Sequence, residues 1–449
     1  MKTEKSDRSR KLYERAKRVL PGGVSRNAVF TRPHPTYGMT GAGCYVTDVD
    51  GNRRLDFANN VASLIHGHAH PAIVEAVSQQ LRQGTAINLT SEVEVAYAEY
   101  LTARSECFDK IRFVNSGTEA IMCCLKAARA YTEKPKIAKV EGSYHGIYDY
   151  AEVSQASTPK DWGEADHPYS VPVVRGTSSS VLEEVIVIPF NDTEHALSLL
   201  DEHTGQIACV LVDPLPHRVG MSPASAEFVE ALHGWTRQND ALLVFDEVIT
   251  YRLEYGGAQD WYNVKPDLTA LGKIIGGGFP VGAIAGSSEV MEVLNPLADK
   301  VLFPHSGTFS ANPVTMTAGY TAMRLFGAGE VARLNALGDI ARKQIAEAIE
   351  STGIPACVSG AGSLLRIHMK PSPPRNYREA YPAPSETRMI RTLLDYMFRN
   401  GVMMINTCSC ALSTPMTQKE IDILTETLHE GFLKAREAAS ESSVAVSVQ

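Results

Sequence analysis

From Pro71 onward, apolar residues alternate between two spacings. Longer stretches repeat at helical spacing, and between them lie short apolar runs of roughly four to seven residues, the length of strands. The pattern predicts a helix over Pro71 to Gln83, with Pro in its first turn and Gly84 at its end. Ile111 to Asn115 reads as a strand running into Ser116-Gly117, followed by a helix from Glu119. Further strands are expected at Ile137 to Glu141, Val185 to Ile188, Ile207 to Asp213 and Leu242 to Asp246. Helical patterns such as Glu194 to Glu202 and Ser225 to Arg237 separate them. Strands and helices in this alternation predict an α/β fold with a mostly parallel, doubly wound sheet.

The ends of the chain differ. Leu12, Tyr13, Ala16, Val19 and Leu20 mark an amphipathic helix in a charged N-terminal stretch, stopped by Pro21-Gly22-Gly23. That stretch has no apolar core of the kind a signal peptide needs. After Phe309, long helices are expected at Pro313 to Phe326 and Glu330 to Glu350, then a strand at Leu364 to Met369. A Pro-rich insertion, Lys370 to Ser385, reads as an exposed loop. A helix follows from about Glu386 to Arg399, and the last helix opens on the capping-box spacing Thr417-x-x-Glu420. These breaks divide the chain into an N-terminal segment (1–60) packing with the small domain, a large domain (61–309), a small α+β domain (310–439) and a frayed tail (440–449).

Composition narrows the function. The 449 residues are 44% apolar with a net charge of −8, and no long basic run suggests nucleic acid. No segment is apolar for long enough to cross a membrane. The eight cysteines include no paired CxxC set, so they read as small core residues in a reducing cytoplasm. Cys408 and Cys410 keep a metal or redox role as the weaker alternative.

Three places on successive strand ends carry candidate chemistry, where ligands bind in an open parallel sheet. Ser116-Gly117-Thr118-Glu119 opens a helix whose free N–H groups suit a phosphate, though Ser116-x-x-Glu119 fits a capping box equally well. Asp246 ends an apolar strand, where a carboxylate can keep a pyridine nitrogen protonated, cap a helix, or bind a metal or ribose. Lys273 lies between apolar Leu268 to Leu271 and the run Gly276-Gly-Gly278. A desolvated lysine there becomes a nucleophile toward carbonyls; a solvated surface charge is the plainer reading. A phosphate loop of the GxxxxGK[ST] type fails, because Ile274 follows the lysine.

Several longer stretches join these points: Pro21-Gly-Gly-Val-Ser-Arg26, Gly67-His-Ala-His-Pro71, Asn115-Ser-Gly-Thr-Glu-Ala120, Tyr144-His-Gly146, Phe245-Asp-Glu-Val-Ile-Thr250, Pro266-Asp-Leu-Thr-Ala-Leu-Gly-Lys273 and Gly307-Thr-Phe-Ser-Ala-Asn-Pro313. With them the chain resembles class III pyridoxal-phosphate aminotransferases of fold type I, in the branch of glutamate-1-semialdehyde aminomutase and the β-amino-acid aminotransferases. The resemblance runs from near residue 10 to near 435. It implies pyridoxal 5′-phosphate held by Lys273 as a Schiff base, with Asp246 at the ring nitrogen. Ser116, Gly117 and Thr118 would hold the phosphate, Tyr144 would stack on the ring, and His145 and Val248 would border it. Thr308 would reach the phosphate of a neighbouring subunit, implying a homodimer. Its partners would be a small amino donor and a carbonyl acceptor.

Substrate residues are fewer. Arg26 presents a planar fork suited to a carboxylate, and its place after the Pro-Gly turn resembles the β-amino-acid enzymes; a surface or phosphate-balancing charge is the alternative. Arg252, in Thr250-Tyr251-Arg252-Leu253, is a second candidate, while Ser63 and Tyr251 are expected to shape the pocket. Two departures stand out. Asn406-Thr-Cys-Ser-Cys410 lacks the arginine that relatives use for a second carboxylate, and Asp213-Pro-Leu-Pro-His-Arg218 replaces the commoner Glu-Pro. Arg218 or His217 would then have to supply that charge. The leading reading is a β-amino-acid aminotransferase. Intramolecular transfer of the aminomutase type is the alternative, followed by a racemase or decarboxylase and, from another class, a cofactor-binding regulator.

Overall fold

Every residue of Ile207–Val212, Leu242–Asp246, Leu268–Gly272 and Gly282–Gly286 is buried. Strands with no solvated face belong to a sheet covered by helices on both sides. In the computed structural model, which describes residues 7–446, that sheet has seven strands. Their spatial order is Lys110–Val114, Gly282–Gly286, Leu268–Gly272, Leu242–Asp246, Ile207–Val212, Lys136–Val140 and Val185–Ile188. Neighbours pair in parallel except at Gly282–Gly286, which runs antiparallel to both of its partners. The expected α/β fold is therefore present.

Gly282–Gly286 was not among the expected strands. Its small residues, Gly-Ala-Ile-Ala-Gly, carry little strand signal. They are small because space is short: a Cβ at Gly282 would lie 2.0 Å from the Ser116 carbonyl oxygen. The antiparallel strand thus lets the Ser116 helix start sit tight against the sheet.

Two smaller sheets flank this one. Gly38–Ala42, Tyr45–Asp48 and Arg53–Asp56 form a meander that pairs with Val402–Met403. Cys357–Ala361, Leu364–His368 and Ser409–Ala411 form an antiparallel set against the long helix Ala328–Thr352. The N-terminal helix is shorter than its pattern suggested, Arg8–Ala16, with a 3₁₀ turn at Pro21–Gly23. The last helix is longer, Gln418–Val446, and takes in most of the stretch read as a frayed tail; residues 447–449 lie outside the described residues. At its start the Glu420 carboxylate accepts from both the backbone N–H and the hydroxyl of Thr417, 2.9 and 2.8 Å.

The Pro-rich insertion is docked, which corrects its reading as an exposed loop. Tyr377 is buried, and its hydroxyl donates to the Ser157 carbonyl at 2.7 Å. Arg378 pairs with buried Glu141 at 3.0 Å and donates to the carbonyls of Trp162, Gly163 and Glu164. Short-range pattern cannot show this, because every partner is more than 200 residues away in sequence. Replacing Arg378 with Ala leaves Glu141 buried without its cation. The expected cost is about 3 kcal/mol of stability, read as a lowered urea midpoint.

Among the described residues no helix is long and apolar enough to cross a membrane, and no cluster of metal-binding side chains occurs. Cys408 and Cys410 are free thiols in the interior, and burial pushes both thiols up, Cys408 to about 12. A thiol held protonated in this way is a poor metal ligand or redox centre.

Candidate active site

The three strand ends meet at one valine. A Cβ on Gly117 would lie 2.9 Å from the Val248 side chain, and one on Gly272 would lie 3.2 Å from it. Val248 follows Asp246 by two residues, Gly117 opens a helix of 16 residues, and Gly272 precedes Lys273. The glycines are needed because three backbones converge here. Gly117→Val would push Val248 away and misalign the helix start. We expect at least a tenfold loss of cofactor affinity, measured by fluorescence titration of the apoenzyme.

Ser116 takes the cap role. Its Oγ accepts from the Glu119 N–H at 3.1 Å, while the Glu119 carboxylate turns back to the Asn115 N–H at 2.7 Å. The cap leaves the N–H groups of Gly117 and Thr118 directed out of the helix, with its dipole behind them, as an anion site requires. Thr118 lies under Gly146, where a Cβ would come within 2.4 Å of Thr118 Oγ1. Gly146 has φ +92°, so glycine is required there on both counts.

Asp246 is buried and fixed from two sides. Its Oδ1 accepts from the Val248 N–H at 3.0 Å, and its Oδ2 lies 2.7 Å from His145 Nδ1. Burial lowers the His145 pKa from its ordinary value, with Asp246 opposing the shift. The imidazole is therefore neutral near pH 7, its Nδ1–H donating to Asp246 Oδ2. Its Nε2 is buried without a partner. Asp213, just past the neighbouring strand Ile207–Val212, is pushed well above the carboxylate range by burial and then by Asp246.

Lys273 has φ +49°, a left-handed conformation that costs a non-glycine residue of order 1–3 kcal/mol. Burial lowers its pKa, opposed by Asp246 and Asp213. A lysine brought nearer to neutrality is the nucleophilic form. Lys139, which the sequence reading passed over, is fully buried and donates to the carbonyls of Val140, Ser143 and Val153, 2.7 to 3.3 Å. It holds the loop that presents Tyr144 and His145. Glu247 does similar work on the other side. Buried and pushed up to about 7, it accepts from Thr250 Oγ1 and the N–H groups of Ala258 and Gln259. Lone charged residues inside apolar runs were the only sequence signal for either.

Tyr144 is 38% exposed, with the Arg218 guanidinium 4.9 Å from its ring centre and the His217 ring 6.4 Å away. An aromatic face, a fixed carboxylate, a lysine and a helix start fit pyridoxal phosphate in turn: ring, ring nitrogen, aldehyde carbon and phosphate. The orphaned His145 Nε2 adds a buried acceptor beside them.

Other candidates fall elsewhere. Arg26 is exposed and donates to Asn60 Oδ1 at 2.8 Å, and Asn60 in turn donates to Ser63 Oγ at 3.1 Å. Asn59 to Ala62 are all left-handed, φ 45 to 64°. Such local strain is characteristic of functional loops. Arg252, by contrast, is fully buried. Its guanidinium donates to Ser363 Oγ and to the carbonyls of Ala62 and Leu412. These bonds make it an internal tie rather than a substrate ligand, correcting the sequence expectation. Tyr251 is likewise interior, 6.1 Å from the Phe108 ring, and shapes the core instead of the pocket. Thr308 is exposed beside Gly307, with no hydrogen bond to the Ser116–Thr118 turn.

Comparison with known proteins agrees with this geometry. Residues 31–431 match the family model described as aminotransferase class-III. A crystal structure of an omega-transaminase from Sphaerobacter thermophilus superposes with a TM-score of 0.93 at 45% identity, covering 95% of this chain and 98% of that one. A β-phenylalanine aminotransferase from Variovorax paradoxus gives 0.84 at 29% identity, covering 95% and 94%. A glutamate-1-semialdehyde 2,1-aminomutase from Methanothermobacter thermautotrophicus (strain ATCC 29096 / DSM 1053 / JCM 10044 / NBRC 100330 / Delta H) is 37% identical over 396 residues, 88% of this chain and 91% of that protein. The chain belongs to the class III aminotransferases, enzymes that depend on pyridoxal phosphate.

Proposed function

We propose that the enzyme moves an amino group from a β-amino acid or related amine to a keto-acid acceptor. The observation that carries the transfer chemistry is Lys273, left-handed just past the Leu268–Gly272 strand and close to the buried carboxylates of Asp246 and Asp213. Pyridoxal phosphate, when bound, supplies the electron sink that lets a proton next to nitrogen leave. Lys273 Nζ would hold the cofactor through its aldehyde carbon and, when free, would take and return that proton as the general base. Asp246 Oδ1 and Oδ2 are held by Val248 and His145, and the carboxylate would pair with the ring nitrogen. Tyr144 would lie against one face of the ring, and the Gly117 and Thr118 N–H groups would hold the phosphate. Arg26, steadied by Asn60, takes the substrate carboxylate.

The higher identity to an omega-transaminase, 45%, supports intermolecular transfer over the aminomutase reading, which rests on relatives at 37%. We further propose a homodimer with Thr308 reaching the phosphate of the partner subunit, working in the cytoplasm, where its eight free cysteines stay reduced. The test is an absorbance titration of the purified holoenzyme with 3-aminobutanoate and no acceptor. Bleaching of the yellow band with one equivalent of 3-oxo acid supports the proposal. An unchanged band, together with turnover of glutamate-1-semialdehyde, would replace it with the aminomutase reading.

A further inference from the structure

The Lys136–Val140 strand runs into Glu141-Gly142-Ser143, and Tyr144 and His145 come next. Gly142 has φ +74°. A Cβ there would lie 2.0 Å from the Tyr377 ring, so that ring rests directly on the backbone of the turn. Glu141 is buried and pairs with Arg378, whose Nε lies 3.2 and 3.0 Å from its two carboxylate oxygens and whose Nη2 lies 3.1 Å from Oε1. A buried carboxylate is costly without such a partner. Both contacts come from the short helix Tyr377–Ala380, in the segment that joins the Leu364–His368 strand to the Pro384–Arg399 helix.

The same segment grips a second turn. Pro374 packs on Gly220, where a Cβ would lie 3.1 Å from it, and the Pro374 carbonyl accepts from Ser222 Oγ at 2.7 Å. The Tyr377–Ala380 helix also touches His217–Val219. His217 and Arg218 in that turn border the Tyr144 ring. The two gripped turns thus meet at Tyr144. From within, Lys139 donates to the Val140 and Ser143 carbonyls, and Asp246 accepts from His145. Those bonds fix the first turn at Ser143 and at His145. Gly142 has no side chain to anchor it, so its backbone is placed by the ring lying against it.

We propose that Tyr377 and Arg378 are positioning residues for amino transfer: pressed on Gly142 and paired with Glu141, they set where Tyr144 and His145 stand beside the cofactor ring. The inference rests on the reading above that places those two residues at the ring, and not on which amine or acceptor is used. A purely structural tie changes stability and nothing else. A positioning role also changes the cofactor's surroundings, because a shifted Tyr144 stacks differently and a shifted His145 alters its bond to Asp246. A misplacement of about 1 Å from a change remote from the chemistry can cost on the order of 10²-fold in rate.

The test compares Tyr377→Ala with wild type. Fluorescence titration of the apoenzyme should show the cofactor bound roughly tenfold more weakly. At saturating cofactor the visible band and its pH dependence should shift, and kcat should fall about fivefold or more while KM for the amine stays within about twofold. Tyr377→Phe keeps the ring on Gly142 and loses only the hydroxyl bond to Ser157, so it should restore affinity, band and kcat. Arg375→Ala, on the exposed side of the same segment, should match wild type throughout. A folded Tyr377→Ala with a lowered urea midpoint but wild-type cofactor affinity, band and kcat overturns the proposal. If circular dichroism shows Tyr377→Ala unfolded, Arg378→Gln decides by the same readouts, and wild-type values overturn the proposal. Tyr144→Ala separates the two readings. An unshifted band in that variant means that Tyr144 does not border the ring, and the underlying placement fails. A band shifted by Tyr144→Ala but not by Tyr377→Ala means that only the positioning role fails.

Discussion

Lys273→Ala is expected to lower kcat by at least about 10⁴-fold, because it removes both the covalent anchor and the proton carrier from one position. No neighbour can replace it. Lys139 is a buried lysine near the site, but its ammonium donates to three backbone carbonyls and sits behind the Tyr144 loop. Borohydride reduction of wild-type holoenzyme, followed by peptide mass spectrometry, should place the cofactor adduct on the peptide containing Lys273. The variant should bind cofactor without the yellow band of a lysine-bound aldehyde. A Lys273→Ala protein turning over at the wild-type rate would falsify the assignment. The left-handed backbone at Lys273 adds a second readout: relief of that strain predicts that Lys273→Gly folds with unchanged or higher thermal stability while remaining inactive.

The second large effect is at Asp246. Asp246→Asn keeps the shape and an acceptor for the Val248 N–H but removes the charge at the ring nitrogen. Truncating one partner of a buried charge pair costs about 2–5 kcal/mol, so kcat should fall by roughly 10²-fold or more. The His145 tautomer follows. Nδ1 now faces an amide N–H and becomes the acceptor, which moves the proton to Nε2. The visible band and its pH dependence should shift, while cofactor stays bound through Lys273. A variant with lowered stability but an unshifted band and normal kcat would show that Asp246 is only structural.

Local spacing determined a good deal on its own. The Leu242–Asp246 and Val185–Ile188 strands lie where the apolar runs placed them, because a strand buried along most of its length is apolar on both faces. The Ser116 cap is an interaction between residues three apart, so its spacing alone specifies it. Lys273 and Asp246 stood out for a related reason: each is a charge at the end of a run that is otherwise buried. What lay beyond the sequence depends on contacts remote in the chain. Gly282–Gly286 is a strand by its pairing with Lys110–Val114 and Leu268–Gly272, and at Gly282 the Ser116 carbonyl leaves no room for a side chain. Arg252 and Arg26 look alike as arginines near motifs. Only the folded chain wraps the first in the carbonyls of Ala62 and Leu412 and leaves the second at the surface. Glu141 and Arg378 lie 237 positions apart and pair only in the fold. Whether a buried charge is neutralised is a sum over everything around it, and that sum exists only in three dimensions.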